Sequence, residues 1–170
     1  MPITLTAAPL TRAAFAPFGD VIEKAGAQSF ATNQGTAMRY HDLARLELTA
    51  AGGRGLVSIF QATQPATLPV RLRLLERHPI SSQAFIPLAP VPYLVVVAPG
   101  TDAPDLSAIR AFAPAPGQGI NFAPATWHHP LIALAPANFL VIDRTGPGPG
   151  FDQDYEEVLL GEVEMVVAMA

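Results

Sequence analysis

The chain has 170 residues, 50% of them hydrophobic and 14% charged, with a net charge of −4 and a pI of about 5.4. That length suits one well-packed domain, and the acidic balance excludes the clustered basic face that nucleic acid or an anionic membrane surface requires. Cysteine is absent, which excludes disulfides, thiolate nucleophiles and zinc-finger sites.

The charged share falls below the roughly 25% of an average soluble domain, so apolar surface covered by a second copy is expected. Nine of the ten basic residues are arginine and the tenth is Lys24. Arginine suits bidentate recognition of a carboxylate, although codon bias explains the overall ratio better. Residues 1–18 lack a basic segment followed by an unbroken apolar stretch. The longest apolar run, Tyr93 to Ala98, suits a buried strand rather than a membrane span. A cytoplasmic protein is expected.

In chain order, Thr11 to Phe18 reads as one short helical turn capped by Thr11 and ended by Gly19. A strand starts at Asp20–Glu23. A polar cluster, Arg39-Tyr40-His41-Asp42, follows within 38–48. Leu56–Gln61 is a strand. Val70 to His78 alternates loosely, and an extended backbone puts Leu72, Leu74, Glu76 and His78 on one face. Ala84–Pro87, Tyr93–Ala98, Ile109–Phe112, Ile120–Phe122, Leu131–Leu134 and Phe139–Asp143 are further strands, with Tyr93–Ala98 buried on both faces. Gly117-Gln118-Gly119 is a turn. Gly146 to Gly150 links to a C-terminal pair of strands within Glu156–Val167, a stretch whose composition also permits helix.

The 18 prolines, densest from Pro65 to Pro149, exclude long helices from the middle of the chain. Many short strands with Pro- and Gly-rich turns fit a sandwich, jelly roll or small barrel, in a single domain over residues 1–170.

The chemistry-bearing residues cluster. His78 and His129 each precede a proline, which holds them extended near strand ends. Histidine titrates near neutrality and binds metals. Glu76-Arg77-His78 with Gln83 resembles a degraded first cupin motif, with Glu76 in place of the first histidine and Gln83 in place of the glutamate. Gly119 to Pro124 to His128 resembles the second cupin motif. The resemblance implies a double-stranded β-helix barrel with one or two short helices. Two histidines and one carboxylate can hold a metal with open positions, and the same groups can act without metal as acid and base. The plain alternative is that His78 and His128 are hydrogen-bonded barrel residues.

Longer strings narrow the family. Arg39-Tyr-His-Asp-Leu43, Leu75-Glu-Arg-His-Pro79, Gln83-Ala-Phe-Ile-Pro87, Arg110-Ala-Phe112, Trp127-His-His-Pro-Leu131 and Ile142-Asp-Arg144 occur in this order. The chain resembles the ureidoglycolate lyases over about Leu5 to Val158. The resemblance implies a homodimer that releases urea and glyoxylate from (S)-ureidoglycolate in allantoin and purine breakdown, and an associated divalent metal, nickel in particular. His128, with Glu76 or His78, then serves as acid and base, and the three together as metal ligands if a metal is bound. Arg39, Arg77 or Arg144 meets the substrate carboxylate, and Tyr40, Gln83 and Trp127 complete the pocket. Rival readings stand beside these: Arg77 faces outward or a partner, Asp143-Arg144 is a structural ion pair, and Trp127 is core. His129 points away from its neighbour in an extended strand. Other cupin enzymes, such as a dioxygenase or isomerase, and a non-catalytic ligand-binding barrel remain alternatives.

Overall fold

The computed structural model describes residues 3–148, 154–161 and 163–169. One short helix, α1 (Arg12–Phe15), and three 3-10 turns accompany sixteen strands among these residues. The strands are β1 (Ile3–Pro9), β2 (Gly19–Ile22), β3 (Ser29–Thr32), β4 (Ala37–Tyr40), β5 (Arg54–Ala62), β6 (Val70–Leu72), β7 (Leu74–Arg77) and β8 (Gln83–Pro87). They continue with β9 (Tyr93–Ala98), β10 (Arg110–Ala113), β11 (Gly119–Phe122), β12 (Trp127–His128), β13 (Ile132–Ala133), β14 (Ala137–Thr145), β15 (Glu156–Leu159) and β16 (Met165–Met169). The all-β, cupin-like reading of the sequence holds.

The strands form a larger sheet in the order β15-β7-β12-β9-β10-β1-β16-β6, with β13 also on β9, and a smaller sheet in the order β2-β11-β8-β14-β5. β3 and β4 make a separate hairpin. Every residue of β9 is buried, because its two faces serve two cores. Tyr93, Val95 and Val97 pack against Phe85, Phe122, Phe139 and Val141 of the smaller sheet, while Leu94, Val96 and Ala98 join Leu72, Leu75, Trp127 and Met165 on the other side. A strand covered on both faces has no place for polar residues, which is why 93–98 reads as an unbroken apolar run.

The helical turn is shorter than Thr11 to Phe18, but its cap is as expected. The Thr11 hydroxyl accepts from the Ala14 amide at 3.2 Å, and Phe15 is fully buried. Gly19 adopts φ +141°, and a Cβ there would lie 1.9 Å from the Asn121 carbonyl oxygen, so only glycine lets β2 approach β11 this closely.

Two expectations fail. Val70–His78 is not one alternating strand. It breaks at Arg73, whose carbonyl accepts from the Leu160 amide, and the break puts Leu72 and Leu75 in the same core. Leu72 therefore does not share a face with Leu74 and Glu76. The C-terminal strands exist but do not pair with each other: β15 pairs with β7, and β16 lies between β1 and β6. The Gly146–Gly150 linker lies outside the described residues beyond Gly148.

Candidate active site

β7 and β12 are antiparallel neighbours, and His128 stands directly opposite Glu76. Cross-strand partners share a face. That face is the one Val97 presents, because His128 also pairs with Val97 across β9. Both side chains therefore enter the space between the two sheets. The ring of His128 stacks on Phe122 of the smaller sheet at 4.0 Å and 13°.

His78 joins them from the end of β7. Its carbonyl accepts from the Ala125 amide at 2.7 Å, which ties the Pro124-Ala125-Thr126 turn to the Glu-Arg-His segment. Ala125 takes φ +63° in that turn, a left-handed conformation costly for a residue with a Cβ and concentrated at functional sites.

Both imidazoles are held in the same way. His128 Nδ1 lies 2.8 Å from the Thr126 carbonyl oxygen, and His78 Nδ1 lies 2.8 Å from the Asp154 carbonyl oxygen. A carbonyl only accepts, so each Nδ1 carries a proton and each ring turns its Nε2 into the site. Those Nε2 atoms are buried without a hydrogen-bond partner. His128 Nε2 is 3.5 Å from Glu76 Oε1, too long for a full hydrogen bond. One ligand atom from each of Glu76, His78 and His128 lies within 4.8 Å of the others. Two orphaned imidazole nitrogens beside a carboxylate, each ring anchored from behind by a carbonyl, fit a divalent transition metal.

The C-terminal segment completes the site. The Asp154 carboxylate accepts from the Ile80 amide at 2.8 Å and from the Ser81 hydroxyl, clamping the chain just after His78. The Tyr155 hydroxyl donates to Glu157 at 2.7 Å and lies 3.2 Å from Glu76 Oε2. Desolvation and these carboxylate neighbours push the Tyr155 phenol well above its ordinary range, so it stays a neutral donor. For Glu76, burial works to raise the pKa, but contact with His128, the Tyr155 hydroxyl and His78 outweighs it and holds the carboxyl below its usual value. Burial lowers the pKa of His129, whose Nδ1 bonds the Pro130 carbonyl outside the cluster.

Sequence reasoning had no route to Tyr155 and Asp154. They follow a Pro/Gly segment, carry no periodicity, and reach the site only because β15 pairs with β7. Phe122 was legible as a strand residue, but not as the ring on which His128 rests.

The other expected site residues are distributed around the cluster. Gln83 lies on β8 opposite Phe122, on the facing wall of the same interior. Trp127 is 1% exposed and belongs to the core on the far side of the larger sheet. Arg77 stacks over the Trp127 ring at 4.4 Å, binds Glu156 Oε2 through Nε at 2.7 Å and through a terminal nitrogen at 2.6 Å, and donates to the Thr101 carbonyl. Alternation along β7 turns it away from Glu76. Arg144 lies against Gly53 and donates through Nε and a terminal nitrogen to the Ala50 carbonyl. Asp143 instead contacts Gln83 at 3.4 Å on the inner face, so the two neighbours on β14 do not face each other. Arg39 lies over Phe30 at 5.8 Å and Tyr40 under Lys24 at 5.4 Å, contacts of the β3–β4 hairpin and the chain beside it.

Comparison with known proteins identifies the family. The family model for ureidoglycolate lyase matches residues 2–168. A ureidoglycolate lyase of Burkholderia mallei (strain NCTC 10229) is 54% identical over 151 residues, 88% of each chain. One of Burkholderia cepacia is 55% identical over 147 residues, 85% of this chain and 81% of the relative. One of Azotobacter vinelandii is 47% identical over 161 residues, 92% and 96%. Among solved structures, a 3,4-ketoisomerase from Helicobacter canadensis covers 80% of this chain at 12% identity with a TM-score of 0.42, a likeness too slight to speak to function. The chain belongs to the ureidoglycolate lyase family.

Proposed function

We propose that the protein cleaves (S)-ureidoglycolate to glyoxylate and urea, with Glu76, His78 and His128 at the reacting carbon. The supporting observation is that these three groups, from two distant stretches of chain, meet in one half-buried interior with their reactive atoms unengaged by backbone.

The reaction needs one proton removed and one delivered. The carbinol O–H loses its proton, the oxygen's electron pair forms the aldehyde C=O, the C–N bond breaks, and the departing urea nitrogen takes a proton. No oxidant is consumed and no water is added. Glu76, kept ionised by its neighbours, accepts the carbinol proton. His128, whose Nε2 lies 3.5 Å from Glu76, relays that same proton to the departing nitrogen. Groups in such roles each contribute roughly 10²–10⁴ in rate. Tyr155 holds Glu76 in place from the solvent side.

The buried, unpartnered Nε2 atoms favour a second, metal-assisted reading. Glu76, His78 and His128 would hold the ion. When bound, a divalent metal supplies positive charge to the hydroxyl and carboxylate oxygens of the substrate. Tyr155 is then the proton carrier left beside the site. Dialysis against chelator separates the two readings: the metal-assisted one requires glyoxylate release to stop and to return on adding a divalent ion, and the metal-free one requires it to continue.

The reading extends to a homodimer acting in the cytoplasm on a product of allantoin breakdown. The dimer draws support from β5, an edge strand of the smaller sheet with Val57, Ile59 and Phe60 exposed and charge only at Arg54. A long apolar edge is a pairing hazard unless another chain covers it. No described helix is long and apolar enough to cross a membrane.

A further inference from the structure

The inner face of the smaller sheet carries two polar side chains in an apolar row. Phe139 and Val141 of β14 are fully buried there, and Asp143 follows at the next inward position. Phe85 of β8 is buried on the same face, and Gln83 precedes it. Val141 pairs with Phe85 and Ile142 with Ala84, which brings Asp143 beside Gln83.

Gln83 Nε2 donates to Asp143 Oδ2 at 3.4 Å. Reversing the amide would set two oxygens against each other, so the orientation is fixed by chemistry. Gln83 Oε1 and Asp143 Oδ1 remain, both buried and both without a partner. Each is an acceptor only, and two orphaned acceptors side by side destabilise a fold unless something else uses them.

Their location says what they face. Phe122 stands directly opposite Gln83, and its ring stacks on His128 at 4.0 Å. The acceptor pair therefore shares the interior with Glu76, His78 and His128, on the opposing wall.

We propose that Asp143 Oδ1 and Gln83 Oε1 receive the N–H donors of the substrate's ureido group and fix which end of the substrate enters first. The assignment rests on the ureidoglycolate reading. A ureido group offers three N–H donors and one carbonyl, which matches two acceptors plus the remaining N–H of Gln83 Nε2. A site built this way rejects analogues without the N–H groups, because its buried acceptors then stay unpaired.

The test compares oxalurate, which keeps the ureido group and the carboxylate, with glyoxylate, which lacks the ureido group. Binding of each is measured by calorimetry on the wild-type protein, Asp143→Asn and Gln83→Met, together with Tm. Oxalurate affinity should fall by about 10- to 100-fold in both variants, the range for a hydrogen bond to a charged or buried acceptor. Glyoxylate affinity should stay within about twofold, and Tm should be unchanged or higher in Asp143→Asn, which removes a buried charge and keeps an acceptor for Gln83 Nε2. The KM for ureidoglycolate should rise more than kcat falls. Equal weakening of both ligands, unchanged oxalurate binding, a wild type that binds oxalurate no better than glyoxylate, or a Tm drop in both variants overturns the proposal, the last marking a purely structural pair. Wild-type protein that binds oxalurate selectively, and loses it in both variants, yet does not turn over ureidoglycolate overturns the substrate reading instead and leaves the acceptor pair intact.

Discussion

Replacing Glu76 with glutamine keeps the shape of the side chain and removes its charge. In the native protein Oε1 lies 3.5 Å from His128 Nε2 and Oε2 lies 3.2 Å from the Tyr155 hydroxyl. His128 is 1% exposed, so solvent screens this contact little. Losing one charge-assisted contact costs about 1.5–3 kcal/mol, which lowers the Tm of a domain of this size by roughly 3–10 °C. The catalytic cost is larger: without a base, glyoxylate release should slow by about 10²–10⁴. The two effects differ in pH dependence. The Glu76 carboxyl sits below its ordinary value of 4.5 in the folded protein. A depressed carboxyl contributes stability above its unfolded pKa and loses it as pH falls through the folded one. The Tm gap between wild type and Glu76→Gln should therefore be full at pH 7 and smaller at about pH 3, below the ordinary glutamate range. Initial rates at pH 7 and thermal melts at both pH values check this. A variant rate within twofold of wild type, or an equal Tm gap at both pH values, would refute the assignment.

Other expectations follow from the same geometry. Arg77→Ala should lower stability by about 1–3 kcal/mol, through lost packing on Trp127 and the lost Glu156 pair, while the KM for substrate changes less than twofold in steady-state kinetics. Tyr155→Phe should cut kcat about tenfold with little change in Tm, because the hydroxyl positions Glu76 and supports no core contact. Phe122→Leu should lower kcat as well as stability, by about 1–3 kcal/mol for the latter, since the ring that orients His128 is lost; a loss of stability with full activity would count against the stack. Ile59→Lys, on the exposed edge of β5, should shift the protein from dimer to monomer in analytical ultracentrifugation, and an unshifted dimer places the interface elsewhere.

Much of this architecture is readable from the chain because local chemistry and tertiary context agree. The prolines leave only short strands, and the unbroken run at 93–98 demands burial on both faces, which the two cores supply. Glu76, His78 and His128 were legible because Glu76-Arg77-His78 and the run from Gly119 through Pro124 to His128 resemble the two cupin motifs. What stayed hidden depends on long-range pairing. Arg73 breaks an apparently alternating strand because the Leu160 amide, far along the chain, takes its carbonyl. Tyr155 enters the site only through the pairing of β15 with β7. Arg77 sits between two site residues in sequence, yet alternation turns it to the opposite core. Asp143 reads as half of an ion pair with Arg144, but adjacent strand residues face opposite ways, and that separation sends Asp143 inward to Gln83.

The most direct test of a lyase site built on Glu76, His78 and His128 is the nitrogen product. Purified protein given ureidoglycolate should release urea and glyoxylate in equal amounts, without ammonia, and His128→Asn should abolish nearly all of it. Ammonia in place of urea, or undiminished release by the His128 variant, would contradict the account.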